Sequence, residues 1–414
     1  MKGHWYLLAA LLHCISLQSA AQSVSVQTNK KILVNSIDSI LRSQVALDMI
    51  PGTVIQIKQG RKTLYRRAYG FAQKYDYHQQ LLARPEKMRL RHLFDLASLT
   101  KVIATTSAIM VLVDRGAIQL DNPINEHLPG FDSMDKKSIT VRHLLTHTSG
   151  LAEWYPMYYR ADNKQETFKL IESLPLKYPV GAQRHYSDLG FVLLGQIVEE
   201  VSGLPFEVFL QKEVFGPLHM DKTGFNPLKN KKNKKIAATS HGNPYEKRMV
   251  YDSTLGFKVK EIDPESWNGW RTYTLKGEVN DGNAWYANGG ISGAAGLFSN
   301  VKDIQKLVDQ LMGKSKYLPI FSKLTIDKFL TRDQFDNGLG WMMDPDNSVI
   351  KTGPEGSYGH TGFTGTSISV IPSQDISIIL LINRQNKGLH PSGFYYNVSP
   401  LRQQIFEAVL TYCR

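Results

Sequence analysis

Cysteine is almost absent from this chain: 414 residues contain two, Cys14 and Cys413. Cys14 lies in an N-terminal segment with the marks of a secretory signal. Lys2 and His4 precede an apolar run from Trp5 to Leu12, and small residues follow at Ser19-Ala20-Ala21. Removal of residues 1–21 is expected, which leaves Cys413 alone, excludes an intramolecular disulfide and puts the burden of stability on a core. Lipid attachment at Cys14 is the poorer fit, because His13 directly precedes it. Beyond the signal there is no apolar run long enough to span a membrane, no internal repeat and no long low-complexity segment. Metal ligands do not gather either. His143 and His147 are spaced i, i+4, but no glutamate follows His143 and no third ligand is evident, so structural roles are expected rather than zinc. The net charge of +12 is concentrated in part at Lys229, Lys231, Lys232, Lys234 and Lys235. That run has no interleaved aromatics, so a solvated loop is expected there and no nucleic-acid partner.

What the chain does have is apolar material, 42% of its residues, enough for a large core. A helix is expected around Ile37 to Leu47. Thr53-Val54-Ile55-Gln56-Ile57 and Thr63-Leu64-Tyr65 read as strands joined in a hairpin by Gln59-Gly60-Arg61-Lys62. The far end mirrors this, with strands at Thr366 to Ile371 and Ile376 to Ile382 and a helix from about Leu401 to Leu410. Hairpins so distant in sequence most simply share one antiparallel sheet. The expected fold is therefore α/β (α+β), with a sheet domain from residues 22–100 and 286–414 and a mainly helical domain, 101–285, inserted between them.

Four Ser-x-x-Lys strings occur, at Ser98, Ser133, Ser299 and Ser348. Only Ser98-Leu99-Thr100-Lys101 opens a long apolar helix, Val102 to Val113, ended by Asp114-Arg115-Gly116; the other three read as solvated. Positions i and i+3 share a helix face, so Lys101 can reach the Ser98 hydroxyl. Burial lowers a lysine pKa by as much as ~3–5 units, which would leave a neutral amine able to take the serine proton. The helix N-terminus beside Ser98 also suits a developing oxyanion. A capping serine followed by a snorkelling lysine is the structural alternative.

Acyl transfer needs a second proton relay and two oxyanion donors. Tyr186-Ser187-Asp188, ahead of the apolar helix Leu189 to Val201, offers a tyrosine relay; alternatively, Asp188 is an N-cap and Tyr186 a packed ring. His360-Thr361-Gly362-Phe363 opens a strand, where a glycine permits close approach of a substrate backbone and the Phe363 amide can donate to an oxyanion. Lys351-Thr352-Gly353 runs into Pro354 and Glu355 and reads as a turn.

In this order, Ser98-x-x-Lys101, Tyr186-x-Asp188 and His360-Thr361-Gly362 resemble the serine β-lactamase and penicillin-binding protein superfamily. Thr140 to Leu151 and Tyr186 to Gly190 are similar to signatures of its class C-like branch. Gly224 to Pro227, Ile236 to Thr239, Gly289 to Ser299, Gly338 to Trp341 and Tyr358 to Gly362 resemble the periplasmic type 4B group. The resemblance covers essentially the whole mature chain. It implies a β-lactamase/transpeptidase-like fold with the catalytic serine where sheet and helices meet. Ser98 would be nucleophile, Lys101 base and Tyr186 proton relay; the Ser98 and Phe363 amides would form the oxyanion hole, and His360 would line the site where relatives often carry lysine.

The implied activity is that of a periplasmic D-alanyl-D-alanine carboxypeptidase acting on peptidoglycan stem peptides, inhibited by β-lactams, monomeric and without metal or organic cofactor. An esterase or weak β-lactamase is the alternative within the same chemistry, and a non-catalytic wall-binding protein the alternative outside it. Two departures bear on substrate. Asp188 stands where many relatives have asparagine and would repel a substrate carboxylate; His360 replaces a near-permanent cation by a group expected to titrate around neutrality.

Overall fold

The computed structural model describes residues 30–229 and 235–413. Residues 1–21, expected to be a signal, and the lysines at 231, 232 and 234 lie outside the described residues. Among the described residues ten α-helices follow in chain order: α1 (30–46), α2 (Thr106–Asp114), α3 (Val141–Leu145), α4 (Lys164–Ser173), α5 (Asp188–Ser202), α6 (Phe206–Leu210), α7 (Pro244–Tyr251), α8 (Val301–Leu311), α9 (Lys323–Phe329) and α10 (Ser399–Tyr412). The strands are β1 (Gly52–Gln59), β2 (Lys62–Tyr75), β3 (Leu81–Lys87), β4 (Phe94–Asp95), β5 (Phe298–Ser299), β6 (Tyr358–Thr361), β7 (Ser367–Ile371) and β8 (Ile376–Ile382).

Six strands form one sheet in the order β3-β2-β1-β8-β7-β6. The two expected hairpins, β1-β2 and β7-β8, are both present, and they meet through the antiparallel β1-β8 pair, with Ile55 opposite Leu380 and Ile57 opposite Ile378. Both faces of this seam are covered, which is why β8 reads Ile-Ser-Ile-Ile-Leu-Leu-Ile with little polar alternation. Ile378, Leu380 and Ile382 join Ile55 and Ile57 against Leu33 and Ile37 of α1 and Leu401 and Ile405 of α10. Ile379, Leu381 and Val54 point the other way, into a core shared with Val102, Ile103, Leu189 and Val308. Gln56 is buried on that second face, its amide donating to Gln305 Oε1 of α8 at 2.9 Å. One continuous apolar cluster thus ties the sheet to the helices carried between its halves.

A short β4-β5 clasp pairs Phe94 with Ser299 and Asp95 with Phe298, bringing the end of the intervening chain back beside its start. Leu96 N–H then donates to Leu297 O at 2.9 Å. The intervening chain holds α2 to α7, but residues 252–282 contain only two short 3₁₀ turns, Ser253–Leu255 and Pro264–Ser266. Aromatic contacts order this stretch instead: Trp267 packs on Tyr158 and Tyr286, with ring centroids 4.7 and 4.8 Å apart.

Gly293 shows how closely these parts fit. A Cβ there would lie 2.0 Å from the Phe191 carbonyl oxygen of α5, and backbone cannot yield as a flexible side chain does. Gly293→Ala is expected to cost about 1–3 kcal/mol or more, read as a lower urea midpoint with an unchanged m-value.

Candidate active site

The turn that carries Ser98 starts at Asp95, whose buried carboxylate accepts from Ala97 N at 2.9 Å and from Asn280 N at 2.6 Å. Ala97 is held at φ 46°, a left-handed conformation that costs a non-glycine residue about 1–2 kcal/mol and turns Ser98 toward the helix. Asp95 and the bond from Thr100 Oγ1 to Ala97 O, 2.6 Å, hold this geometry. The helix then opens with a π-helical turn, Lys101–Thr105, ahead of α2. Every residue from Lys101 to Leu112 is buried.

Lys101 Nζ lies 3.1 Å from Ser98 Oγ, 3.0 Å from Ala294 O and 2.6 Å from Asp188 Oδ1. The hydroxyl and the carbonyl accept from the ammonium, and the carboxylate faces it as an ion pair. Here the structure differs from the expectation of a neutral amine. Burial by itself would lower the lysine pKa, but the Asp188 carboxylate and the Tyr186 hydroxyl outweigh it and hold Lys101 above the ordinary lysine value. Among the four Ser-x-x-Lys strings this is the one in which amine and hydroxyl meet. The others are not uniformly solvated: Ser299 is buried against Thr223 Oγ1 at 2.6 Å, and Lys136 is buried over the Phe131 ring with its amine on Glu172 O. Both were expected in solvent; each follows packing of its own element and not the motif.

Asp188 does not cap its helix. Ser187 is the N-cap of α5, accepting from Gly190 N and donating to Ala152 O at 2.7 Å, which frees Asp188 at the first helical position to reach Lys101. Tyr186 is contacted by both Ser98 and Lys101, and its ring lies 5.1 Å from Lys101 Nζ. Burial raises its pKa, against the opposing pull of Lys101, so it rests as a phenol. His147 supports this tripeptide: its ring lies 4.3 Å from that of Tyr186, and its Nδ1 accepts from Ser187 N at 3.0 Å. Burial and the nearby Arg184 and Lys101 cations keep it neutral. His143 meanwhile closes a capping box with Thr140. The two histidines are thus committed separately, and among the described residues no set of three His, Cys, Asp or Glu side chains is placed to hold a metal ion.

His360 is buried on β6, with its Nδ1–H on Thr361 O at 2.8 Å and its Nε2 without a partner. Burial, then Lys101, Arg184 and Arg402, push its pKa down to about 3. The expected titration near neutrality is therefore replaced by an imidazole held neutral at that pH. Gly362 also differs from expectation in its reason. A Cβ there would meet Thr366 Oγ1 at 2.1 Å and Leu96 O at 2.3 Å, so the close approach is made by the chain's own backbone beside the nucleophile turn. Thr361 and Phe363 line the same cavity as Ser98. Among the described residues the Ser98 and Phe363 amides have no backbone or side-chain acceptor. Lys351-Thr352-Gly353 is a turn, with Thr352 at φ 66°.

That cavity, about 520 Å³, opens over Ser98, Tyr186 and Asp188. Its remaining wall brings in residues that had no signal in the sequence: Glu153, Glu246, Asn280 and Asp281, with Trp154, Tyr245, Phe257 and Tyr395 as aromatic surface. Glu246 comes from α7 and the 280–281 pair from the irregular stretch before Ala284, so no local periodicity marks them.

The Beta-lactamase family model matches residues 37–399. The chain is 33% identical over 389 residues to a Bacillus subtilis (strain 168) protein named "N-acetylmuramyl-L-alanine amidase", covering 88% of this chain and 83% of that one. It is 34% identical over 376 residues to an Escherichia coli (strain K12) "Putative D-alanyl-D-alanine carboxypeptidase", covering 85% and 82%. A solved class C beta lactamase from Rhodobacter sphaeroides superposes with a TM-score of 0.62 at 18% identity, covering 91% of this chain and 99% of that one. With the family model spanning most of the chain and the sheet, helices and serine-lysine pair in place, the protein belongs to the Beta-lactamase family of serine hydrolases.

Proposed function

We propose that the protein acts across the inner membrane, in the periplasm, as a monomeric D-alanyl-D-alanine carboxypeptidase that trims peptidoglycan stem peptides through an acyl-Ser98 intermediate. The observation that carries this reading is the buried Lys101 amine 3.1 Å from Oγ of Ser98, a residue that lines the cavity. The deprotonated fraction of Lys101 takes the Ser98 proton as Oγ attacks the substrate carbonyl, and the amides of Ser98 and Phe363 receive the oxyanion. Tyr186, a phenol in contact with both Ser98 and Lys101, passes a proton to the departing amine. Lys101 returns its proton to Tyr186, and water then cleaves the acyl-serine ester with the freed Lys101 amine as base. The carboxypeptidase names of relatives above 30% identity support this substrate, as does the sequence resemblance to the type 4B penicillin-binding group.

Ester hydrolysis at the same serine is the second reading. Aromatic walls and the lack of any cationic side chain among the cavity's lining residues favour an uncharged acyl group over a carboxylate clamp. The test is to incubate the protein with a fluorescent penicillin, measure intact mass, and assay D-alanine release from a peptide ending in D-alanyl-D-alanine beside p-nitrophenyl acetate hydrolysis. One adduct per chain and D-alanine release are expected. Ester turnover alone would select the second reading, and neither adduct nor turnover would overturn both.

A further inference from the structure

The two amides that face a developing oxyanion stand on separate turns. Ser98 lies on the turn that leaves β4, and Phe363 on the 362–366 turn between β6 and β7. β4 and β6 belong to different sheets, and among the described residues no backbone–backbone hydrogen bond joins the two turns. An oxyanion is served only where both N–H groups come within about 2.7–3.1 Å of one point. The spacing of the turns must therefore be set by side chains.

Two buried hydroxyls cross from one turn to the other. Thr364 Oγ1 donates to Asp95 O at 2.7 Å, and Thr366 Oγ1 donates to Leu96 O at 3.0 Å. The acceptors are the two carbonyls directly ahead of Ala97 and Ser98. The 362–366 turn is also fixed within itself: Gly362 N–H donates to Thr366 O at 2.8 Å and Gly365 N–H to Gly362 O at 3.0 Å. Phe363 O accepts from Arg384 Nε and Nη2 at 3.1 and 2.7 Å. Two rigid turns joined by bonds to neighbouring carbonyls have little freedom to slide past each other.

We infer that Thr364 and Thr366 are positioning residues for acyl transfer, whose hydroxyls hold the Phe363 amide at the distance from the Ser98 amide that an oxyanion requires. This rests on the reading of Ser98 as the acylation site and of the two amides as its oxyanion donors. Thr366 does not line the cavity over Ser98, so its effect on the reaction passes through the turn. Thr364 lines the cavity, but its hydroxyl is engaged by Asp95 O. In Thr366→Val a methyl group replaces the hydroxyl and cannot sit 3.0 Å from Leu96 O. The bond is lost and the turn has to move away. A displacement of about 1 Å in reacting geometry can slow a reaction about 10²-fold.

The test compares kcat/KM for p-nitrophenyl acetate and its thiono analogue, whose carbonyl sulfur is a weak acceptor and gains little from oxyanion donors. Thr366→Val and Thr364→Val are expected to slow the oxygen ester by about tenfold to a hundredfold and the thiono ester by less than about threefold. Thr366→Ser keeps the hydroxyl and is expected to stay within about twofold of wild type on both. Thr53→Val removes a buried hydroxyl bond of the same kind, to Leu381 O at 3.0 Å in the β1-β8 seam, and is expected to leave both rates unchanged. Equal slowing of the two esters, full activity in both valine variants at positions 364 and 366, or a matching loss in Thr53→Val would overturn the inference. Melting curves identify a variant that has not folded, in which case the other valine variant decides. A wild type with neither ester turnover nor a penicillin adduct removes the acylation reading and this inference with it. A wild type that labels with penicillin and prefers the oxygen ester, beside valine variants that match it, removes this inference alone.

Discussion

Ser98→Ala removes penicillin labelling and lowers turnover of every acyl substrate by about 10⁴-fold or more, with the melting temperature nearly unchanged. The size follows from what is lost: without Oγ no covalent intermediate forms, and oxyanion donors and binding alone provide only a residual acceleration. The side chain is small and sits at the cavity surface, so little packing goes with it. Lys101→Arg reaches a similar loss by another route, because a guanidinium stays protonated and cannot act as base. If serine and lysine act as one unit, the double variant is no worse than either single one. Additive losses in kcat/KM would mean that Lys101 acts independently of Ser98 and is not its base, and a penicillin adduct on the Ser98→Ala protein would remove the nucleophile assignment altogether.

How much of this was readable beforehand divides along physical lines. The terminal hairpins and the α2 apolar run rest on local chemistry: turn residues at Gln59-Gly60 and Pro372-Ser373, and an unbroken buried helix behind Lys101. Ser98, Lys101, Tyr186 and the 360–363 strand end were legible because motif order survives whatever lies between. The ion pair that governs Lys101 was not. It depends on Ser187 taking the cap of α5, which sets Asp188 free by one position, and on α5 packing against α2. A neutral His360 was hidden for a related reason: it is buried by tertiary packing, and Lys101, Arg184 and Arg402 add their charge from elements far apart in sequence. Glu246, Asn280 and Asp281 stand in or beside segments without a hydrophobic period, so only tertiary structure could collect them around Ser98.

Asp188→Asn is expected to move the acidic limb of the activity profile down by at least about 2 pH units. In the wild type, burial pulls the Lys101 pKa down but Asp188 more than restores it. The reactive neutral amine is then scarce at neutral pH, and rate climbs into the alkaline range by about tenfold per pH unit below that pKa. Asparagine removes the carboxylate and leaves the burial, so the amine deprotonates earlier and the variant overtakes the wild type near pH 7. Stability moves the opposite way, and its pH dependence has a definite sign. Lys101 raised above its unfolded value contributes stability that is present below about pH 10.4 and lost as pH rises through the folded pKa. In the variant the folded pKa lies below the unfolded one, so the buried amine costs stability at neutral and acidic pH, and the cost fades as pH rises past the unfolded value. Losing one partner of a buried pair costs about 3–5 kcal/mol when the remaining charge stays, and deprotonation of Lys101 is the relief available to it. Melting temperatures of the two proteins should therefore differ most near pH 6, and the gap should narrow as pH rises toward 10. An activity limb that stays in place while the melting temperatures diverge would show that Asp188 serves only the fold and that the base is not Lys101.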